Sequence, residues 1–393
     1  MSWIAEDRLL LYCCRKVTKE RTRHKIVEAE RMELDWGIFL KNARENGVSA
    51  LVYSRLNEIR EDCSNIPLDV FEELKKDYYL NATKNTLIFE ELGKALEAFK
   101  KSGLRVIVLK GAALAEKVYG NIALRPMSDI DLLVKEEDMM NVNEQLKTLD
   151  YRPIDASVDD IDFSSTYLTT LDYRTPEENS PSFHIHWHFV NSTIPNESYI
   201  KNIKIDNIWR DAEETRIADV ETLVMAPHHL LIHLSEHALR VTHSLSKLSF
   251  LCDINEAVNF YQERLDWGQL IDEAYTFNLE KMVYLSLFFS SKFLAAPVPE
   301  DVLSSIKPKK FSFWEKIFMK AVSNNKQFPG LSYLVHLSLN RGLFRKIKFI
   351  GRTFFPPRRF IAQRNYIPLS EVGLKYYIRR LNEVFSRFFK VLG

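Results

Sequence analysis

The sequence predicts a helix-rich α+β protein, a small sheet set among helices, and three observations carry that expectation. Glycine and proline are scarce, 12 and 14 in 393 residues, which disfavours turn-dense all-β architectures and long flexible linkers. Most of the chain repeats apolar residues at three- and four-residue spacing, as amphipathic helices do. Two short runs, Leu104–Leu109 and Asp129–Val134, break that pattern with consecutive β-branched and apolar residues suited to buried strands.

Taken in order, Trp36, Phe39, Leu40 and Ala43 place a helix over 35–46, and Asn46-Gly47 stops it. After Pro67, apolar residues from Val70 through Leu74, Leu92 and Phe99 predict one long helix ending at Gly103. The first strand follows, then Lys110-Gly111, an alanine-rich helix (AALAEKVY), the second strand and a helix over 136–149. Strands are expected over 164–171 and 183–190, joined by the polar loop YRTPEENSPS. From about Asp219 the pattern is helical again, with Pro227 near a helix start. The expected organisation is N-terminal helices over 1–102, an α/β core over 103–215, a helical domain over 216–340 and a C-terminal region over 341–393.

Apolar residues at 46% and charged residues at 27% describe an ordinary folded protein. The four cysteines show no metal-ligand or oxidoreductase spacing, so a reduced cytoplasmic protein is expected. Glu6 and Asp7 precede the first short apolar run, the wrong charge order for a secretory signal. The longest apolar stretch, Met282–Ala296, is interrupted by Lys292 and falls short of the ~20 residues that span a bilayer. The net charge of +1 hides an asymmetry: from Arg341 onwards thirteen basic residues face only Glu371 and Glu383. A tail of +11 on a body of −10 is expected to meet phosphate, an acidic surface or the body itself.

The chemistry concentrates in one segment. Alternation on a strand puts Asp129 and Asp131 on one face with Cα atoms roughly 6.5 Å apart. Two carboxylates there repel unless a cation lies between them, and an all-oxygen pair suits Mg²⁺ or Mn²⁺. The plainer alternative is that they cap the end of a strand. Gly111 after the first strand would let a helix N-terminus approach a phosphate, with Lys110 and Arg125 as further phosphate contacts.

LKGAALAEKVYGNIALRPMSDIDLLV resembles the core of the uncharacterised bacterial nucleotidyltransferase-like family of the DNA polymerase β superfamily. Weaker likeness extends to HIHWHF, HHLLIHLSEH, LCDI and PPRR. The resemblance implies a small mixed-sheet nucleotidyltransferase core with metal on Asp129 and Asp131 and nucleotide phosphates at Gly111. It implies a third carboxylate on a neighbouring strand, and there this chain departs: His184 falls where the acid would be, while His186 matches the family histidine. The plainer alternative for the three histidines is a solvated strand face, and for His188 alone that is the reading taken.

The helix carrying His229, His233 and His237 lacks the HExxH order, so these read as core or cleft residues, as Asp253 reads as a structural partner. The basic tail interleaves aromatics, which suits either packing or contact with a membrane surface or RNA. The expected activity is transfer of a nucleoside monophosphate from a nucleoside triphosphate to an unidentified acceptor hydroxyl, dependent on Mg²⁺ or Mn²⁺. The alternatives are a nucleotide-binding or scaffold protein impaired by His184, or a membrane- or RNA-associated module run by the tail.

Overall fold

The computed structural model describes residues 3–15, 20–154, 158, 161, 163, 169–177, 180–191, 199–240, 242–326, 330–340, 342–365 and 367–392. Among these residues seven strands are found: β1 (Ile107–Val108), β2 (Asp129–Leu133), β3 (Arg152–Pro153), β4 (Thr170–Arg174), β5 (Ser182–His186), β6 (Glu213–Ile217) and β7 (Val220–Val224). They form one sheet in the order β3-β4-β5-β2-β1-β7-β6. β2 runs parallel to β5 and β1 parallel to β7, while the other pairs are antiparallel. The sheet is therefore mixed, and the fold is α+β and helix-rich.

Local chemistry sets most boundaries where the sequence puts them. Asp35 caps the Trp36–Glu45 helix by accepting the Ile38 N–H at 2.9 Å. The long helix runs Leu68–Lys101 after Pro67 and ends where Gly103 takes a left-handed φ of 69°. Two strands differ from expectation. β1 has only two paired residues, although Leu109 still donates to the Asp131 carbonyl. β4 lies at 170–174, overlapping the start of the expected loop, because its register with β5 buries Tyr173 opposite Phe183. Residues 164–168 of the expected strand lie outside the described residues.

Alternation divides the sheet between two cores. Ile130, Leu132, Phe183 and Ile185 pack on the second half of the long helix and on the Met139–Thr148 helix. Leu109, Leu133 and Leu223 join a larger core built with the N-terminal helices and the helices Pro227–Ala238, Leu248–Tyr261 and Glu280–Leu294. The first half of the long helix, through Val70, Phe71 and Leu74, belongs to that larger core. N-terminal and later helices thus share one interior, and the β6–β7 hairpin carries the sheet past residue 215 to Val224. All four cysteines are free and buried.

Among the described residues no helix is long and apolar enough to cross a membrane. The C-terminal region forms helices at Leu343–Phe354, Arg358–Asn365 and Leu374–Leu392. Phe360, Ile361, Ala362 and Val372 make a small cluster of their own. Arg341, Tyr366 and the side chains of 387–392, part of the tail's charge and aromatic count, lie outside the described residues.

Candidate active site

β2 supplies the site's two carboxylates because its other face is committed to the core: Ile130 and Leu132 are buried against the long helix, so Asp129 and Asp131 project to the opposite side. The parallel register with β5 sets His184 beside Asp131, and the antiparallel register with β4 sets Asp172 beside His184. Three adjacent strands therefore carry acid, imidazole and acid in one row.

His184 Nδ1 lies 3.0 Å from Asp129 Oδ2 and 3.7 Å from Asp131 Oδ1. Its Nε2 faces Asp172 Oδ1 at 3.9 Å, and that oxygen is buried with no hydrogen-bond partner. His186 Nε2 donates to Asp131 Oδ1 at 2.9 Å. Lys110 Nζ donates to Asp131 Oδ2 at 2.7 Å, with both side chains almost fully buried. Lys110, expected at a nucleotide phosphate, is instead paired with the Asp131 carboxylate. Burying Asp131 uncompensated would be expensive, and the lysine offsets that cost.

The electrostatics follow from this crowding. Burial alone would raise the Asp131 carboxyl, but Lys110, His184 and His186 outweigh it and hold the group well below its usual range. Asp129 is likewise lowered: burial and its neighbour Asp131 push up, and His184 and Lys110 prevail. Burial pushes His184 down, yet its contacts with Asp129 and Asp131 win and raise it to about 10. His184 is therefore an imidazolium at neutral pH. Burial keeps His186 neutral, its pKa lowered despite Asp131.

The loop before β2 is fixed from outside the sheet. Asn81 and Asn85 on the long helix donate to the carbonyls of Ala123 and Ile122, and Asn85 also donates to that of Arg125 at 2.8 Å. Arg125 Nε and Nη2 bind both oxygens of Asp253 at 2.9 and 2.8 Å, and Tyr119 Oη donates to the same carboxylate. A buried guanidinium needs such a partner. Its Nη1 remains beside Gly111, where an added Cβ would meet it at 3.6 Å and Met127 Sδ at 3.5 Å. Gly111 lies in the first turn of a short helix, Lys110–Ala113.

The expected trio of strand histidines divides. β5 ends at His186, and His188 is mostly buried with Nδ1 accepting the Val190 N–H, so burial pushes its pKa down to about 4. It is not on a solvated strand face, because the chain has already turned off the sheet. The helical histidines divide as well. His233 donates from Nδ1 to the Phe189 carbonyl at 2.9 Å. Burial keeps His237 and His243 neutral, with the Lys110 charge adding to the effect, and their rings lie 4.4 Å apart against Phe250. Asp172, His243 and Phe250 escaped the sequence reading; Asp172 fell between the expected strand ending at Leu171 and the expected loop beginning at Tyr173.

Asp129, Asp131 and His184 bring one ligand atom each to within 4.8 Å of one another. Two carboxylates, an imidazole and the unpartnered Asp172 oxygen suit a hard divalent cation, and Gly111 leaves room that a Cβ would narrow.

A family model described as uncharacterised nucleotidyltransferase matches residues 32–295, which include the whole carboxylate row. No curated protein matches the chain.

Proposed function

From the premise that the chain belongs to the uncharacterised nucleotidyltransferase family, we propose that it transfers a nucleoside monophosphate from a nucleoside triphosphate to an acceptor hydroxyl on a DNA polymerase β-type core. The observation that supports this best is the row of Asp129 and Asp131 on β2, His184 on β5 and Asp172 on β4. Asp129 and Asp131, with His184 or Asp172 completing the set, would hold Mg²⁺ or Mn²⁺. Such an ion neutralises the triphosphate and acidifies the attacking hydroxyl.

The protein's own groups position and compensate charge. Lys110 and the imidazolium of His184 stand in for cationic charge between the carboxylates, and Lys110 moves to a phosphate when a cation takes its place. Gly111 and Arg125 Nη1 offer the adjoining phosphate cradle, while Asp253 fixes the guanidinium. The hydroxyl oxygen bonds to the α-phosphorus as the bond to the bridging oxygen breaks, and pyrophosphate leaves with that electron pair. Asp172 Oδ1 takes the hydroxyl proton.

Incubating the full chain with each labelled triphosphate, Mg²⁺ or Mn²⁺ and a cell extract, then finding a labelled adduct by mass spectrometry, tests the reading and identifies the acceptor. Metal-dependent nucleotide binding without any adduct in the parent, and adduct formation in His184→Asp, would instead identify a scaffold that has lost transfer.

A specific observation favours a second role for the tail. Leu343, Phe344, Ile347 and Ile350 on one helix, and Leu374, Ile378 and Phe385 on another, are exposed at helical spacing, and Phe354 meets Phe385 at 5.1 Å. Aliphatic ridges flanked by lysine and arginine suit insertion into an anionic membrane surface better than base stacking.

A further inference from the structure

Four donor groups that the carboxylate row does not use converge elsewhere in the fold. Asp211 ends the Ile205–Asp211 helix just before β6, His228 and His229 follow Pro227 at the start of the Pro227–Ala238 helix, and Glu273 lies on the Trp267–Thr276 helix. One ligand atom from each lies within 4.8 Å of all the others. His229 Nε2 is 2.7 Å from Glu273 Oε2, and His228 Nε2 is 3.6 Å from the same oxygen and 3.9 Å from Asp211 Oδ2. A tetrahedral ion with ligands at about 2.0–2.2 Å sets its donors about 3.4 Å apart, a spacing these distances bracket.

The burial of the site separates it from an ordinary surface ion pair. His229 is fully buried and His228 nearly so, whereas Asp211 and Glu273 reach the rim. His228 Nε2, His229 Nε2 and Glu273 Oε2 have no hydrogen-bond partner of good geometry. Buried polar atoms are almost always satisfied, and three orphans brought together at one point call for a common partner. Adjacent helical residues normally diverge, yet these two rings sit 4.1 Å apart with both Nε2 atoms turned to the same carboxylate. Gln269 lies 3.4 Å from Glu273 Oε1 and 3.5 Å from Asp211 Oδ2, where it would orient both ligands. Arg210 donates to both oxygens of Asp211, Nε to Oδ1 at 2.8 Å and Nη2 to Oδ2 at 3.1 Å, so the guanidinium fixes the carboxylate and an ion would share Oδ2 with it.

We propose that Asp211, His228, His229 and Glu273 form a second metal site that takes one divalent transition ion of the zinc class and clips the end of the sheet to two helices of the larger core. Two imidazoles select such an ion over Mg²⁺, which the carboxylate-rich row prefers. With four protein ligands the site is closed, as structural sites are, so its ion braces the fold and takes no part in transfer.

The test uses the full chain stripped with a chelator and reloaded with Co²⁺ or Zn²⁺. We expect one equivalent of Co²⁺ to give visible bands of a tetrahedral ion, in the parent and equally in Asp131→Asn, which lacks a ligand of the other site. His229→Gln and Glu273→Gln should lose those bands, and Zn²⁺ should raise the melting temperature of the parent but of neither variant. Should those variants fail to fold, X-ray absorption of the zinc-loaded parent in the Asp131→Asn background decides the matter: two imidazole shells are expected. Failure of the parent to bind a stoichiometric ion, bands that disappear only with Asp131→Asn, or a spectrum without imidazole scattering would overturn the proposal.

Discussion

Lys110 donates to Asp131 across 2.7 Å although the two residues stand 21 positions apart. The pair joins the first turn after β1 to the middle of β2, inside a site that also holds Asp129, His184 and the Arg125 guanidinium. It gives the two aspartates different roles. Asp131 is buried and tied to three cationic or hydrogen-bonding groups, whereas Asp129 is partly exposed and held mainly by His184.

That difference predicts two separable mutant phenotypes. Asp131→Asn should abolish transfer and also cost about 3 kcal/mol of stability, because it leaves the Lys110 ammonium buried without its counter-charge. Asp129→Asn should abolish transfer with a smaller loss of stability. Calorimetric unfolding beside a turnover assay separates the two; full turnover in either variant would remove the carboxylate row from the mechanism.

Metal binding should be linked to proton release. In the metal-free site His184 is raised to about 10 from a reference near 6.5, so its ion pairs stabilise the fold fully below about 6.5 and that contribution fades as pH climbs through about 10. A cation on Asp129 and Asp131 competes with the same proton. Mg²⁺ affinity should therefore rise with pH below about 10, by at most tenfold per unit, with up to one proton released. Titration calorimetry in two buffers of different ionisation enthalpy measures this, and a pH-independent affinity would contradict it.

Asp172 should matter to the chemical step more than to folding. Its Oδ1 has no hydrogen-bond partner to lose, so Asp172→Asn should leave the melting temperature nearly unchanged while lowering kcat by about 100-fold, within the range for a lost general base. His184→Ala in parallel should flatten the pH dependence of Mg²⁺ affinity, because the competing imidazolium is gone. Equal turnover in Asp172→Asn and parent would assign the proton elsewhere.

Phe344→Glu with Ile347→Glu should reduce sedimentation with phosphatidylserine vesicles at least tenfold and leave the melting temperature unchanged, since both side chains already face solvent. Vesicle binding that survives the double variant, or salt-sensitive RNA binding in its place, would redirect the tail's role.

The sequence by itself determined the helix-rich α+β class, the two central strands, the long helix and the placement of Asp129 and Asp131 on one strand face. These follow from period, caps and alternation, which act over a few residues. It also placed His184 and His186 on the same side of a strand. It did not yield Asp172, because β4 is defined by its register with β5 and by the burial of Tyr173, contacts that local pattern does not encode. Nor did it show that Arg125 shares its charge with Asp253, 128 residues away, that His229 leaves His233 for Glu273 and Asp211, or that the helices on either side of the sheet segment close on one core. A buried charge or a buried imidazole takes whatever partner the folded chain brings within reach, and that partner is chosen by the tertiary packing of elements far apart in sequence.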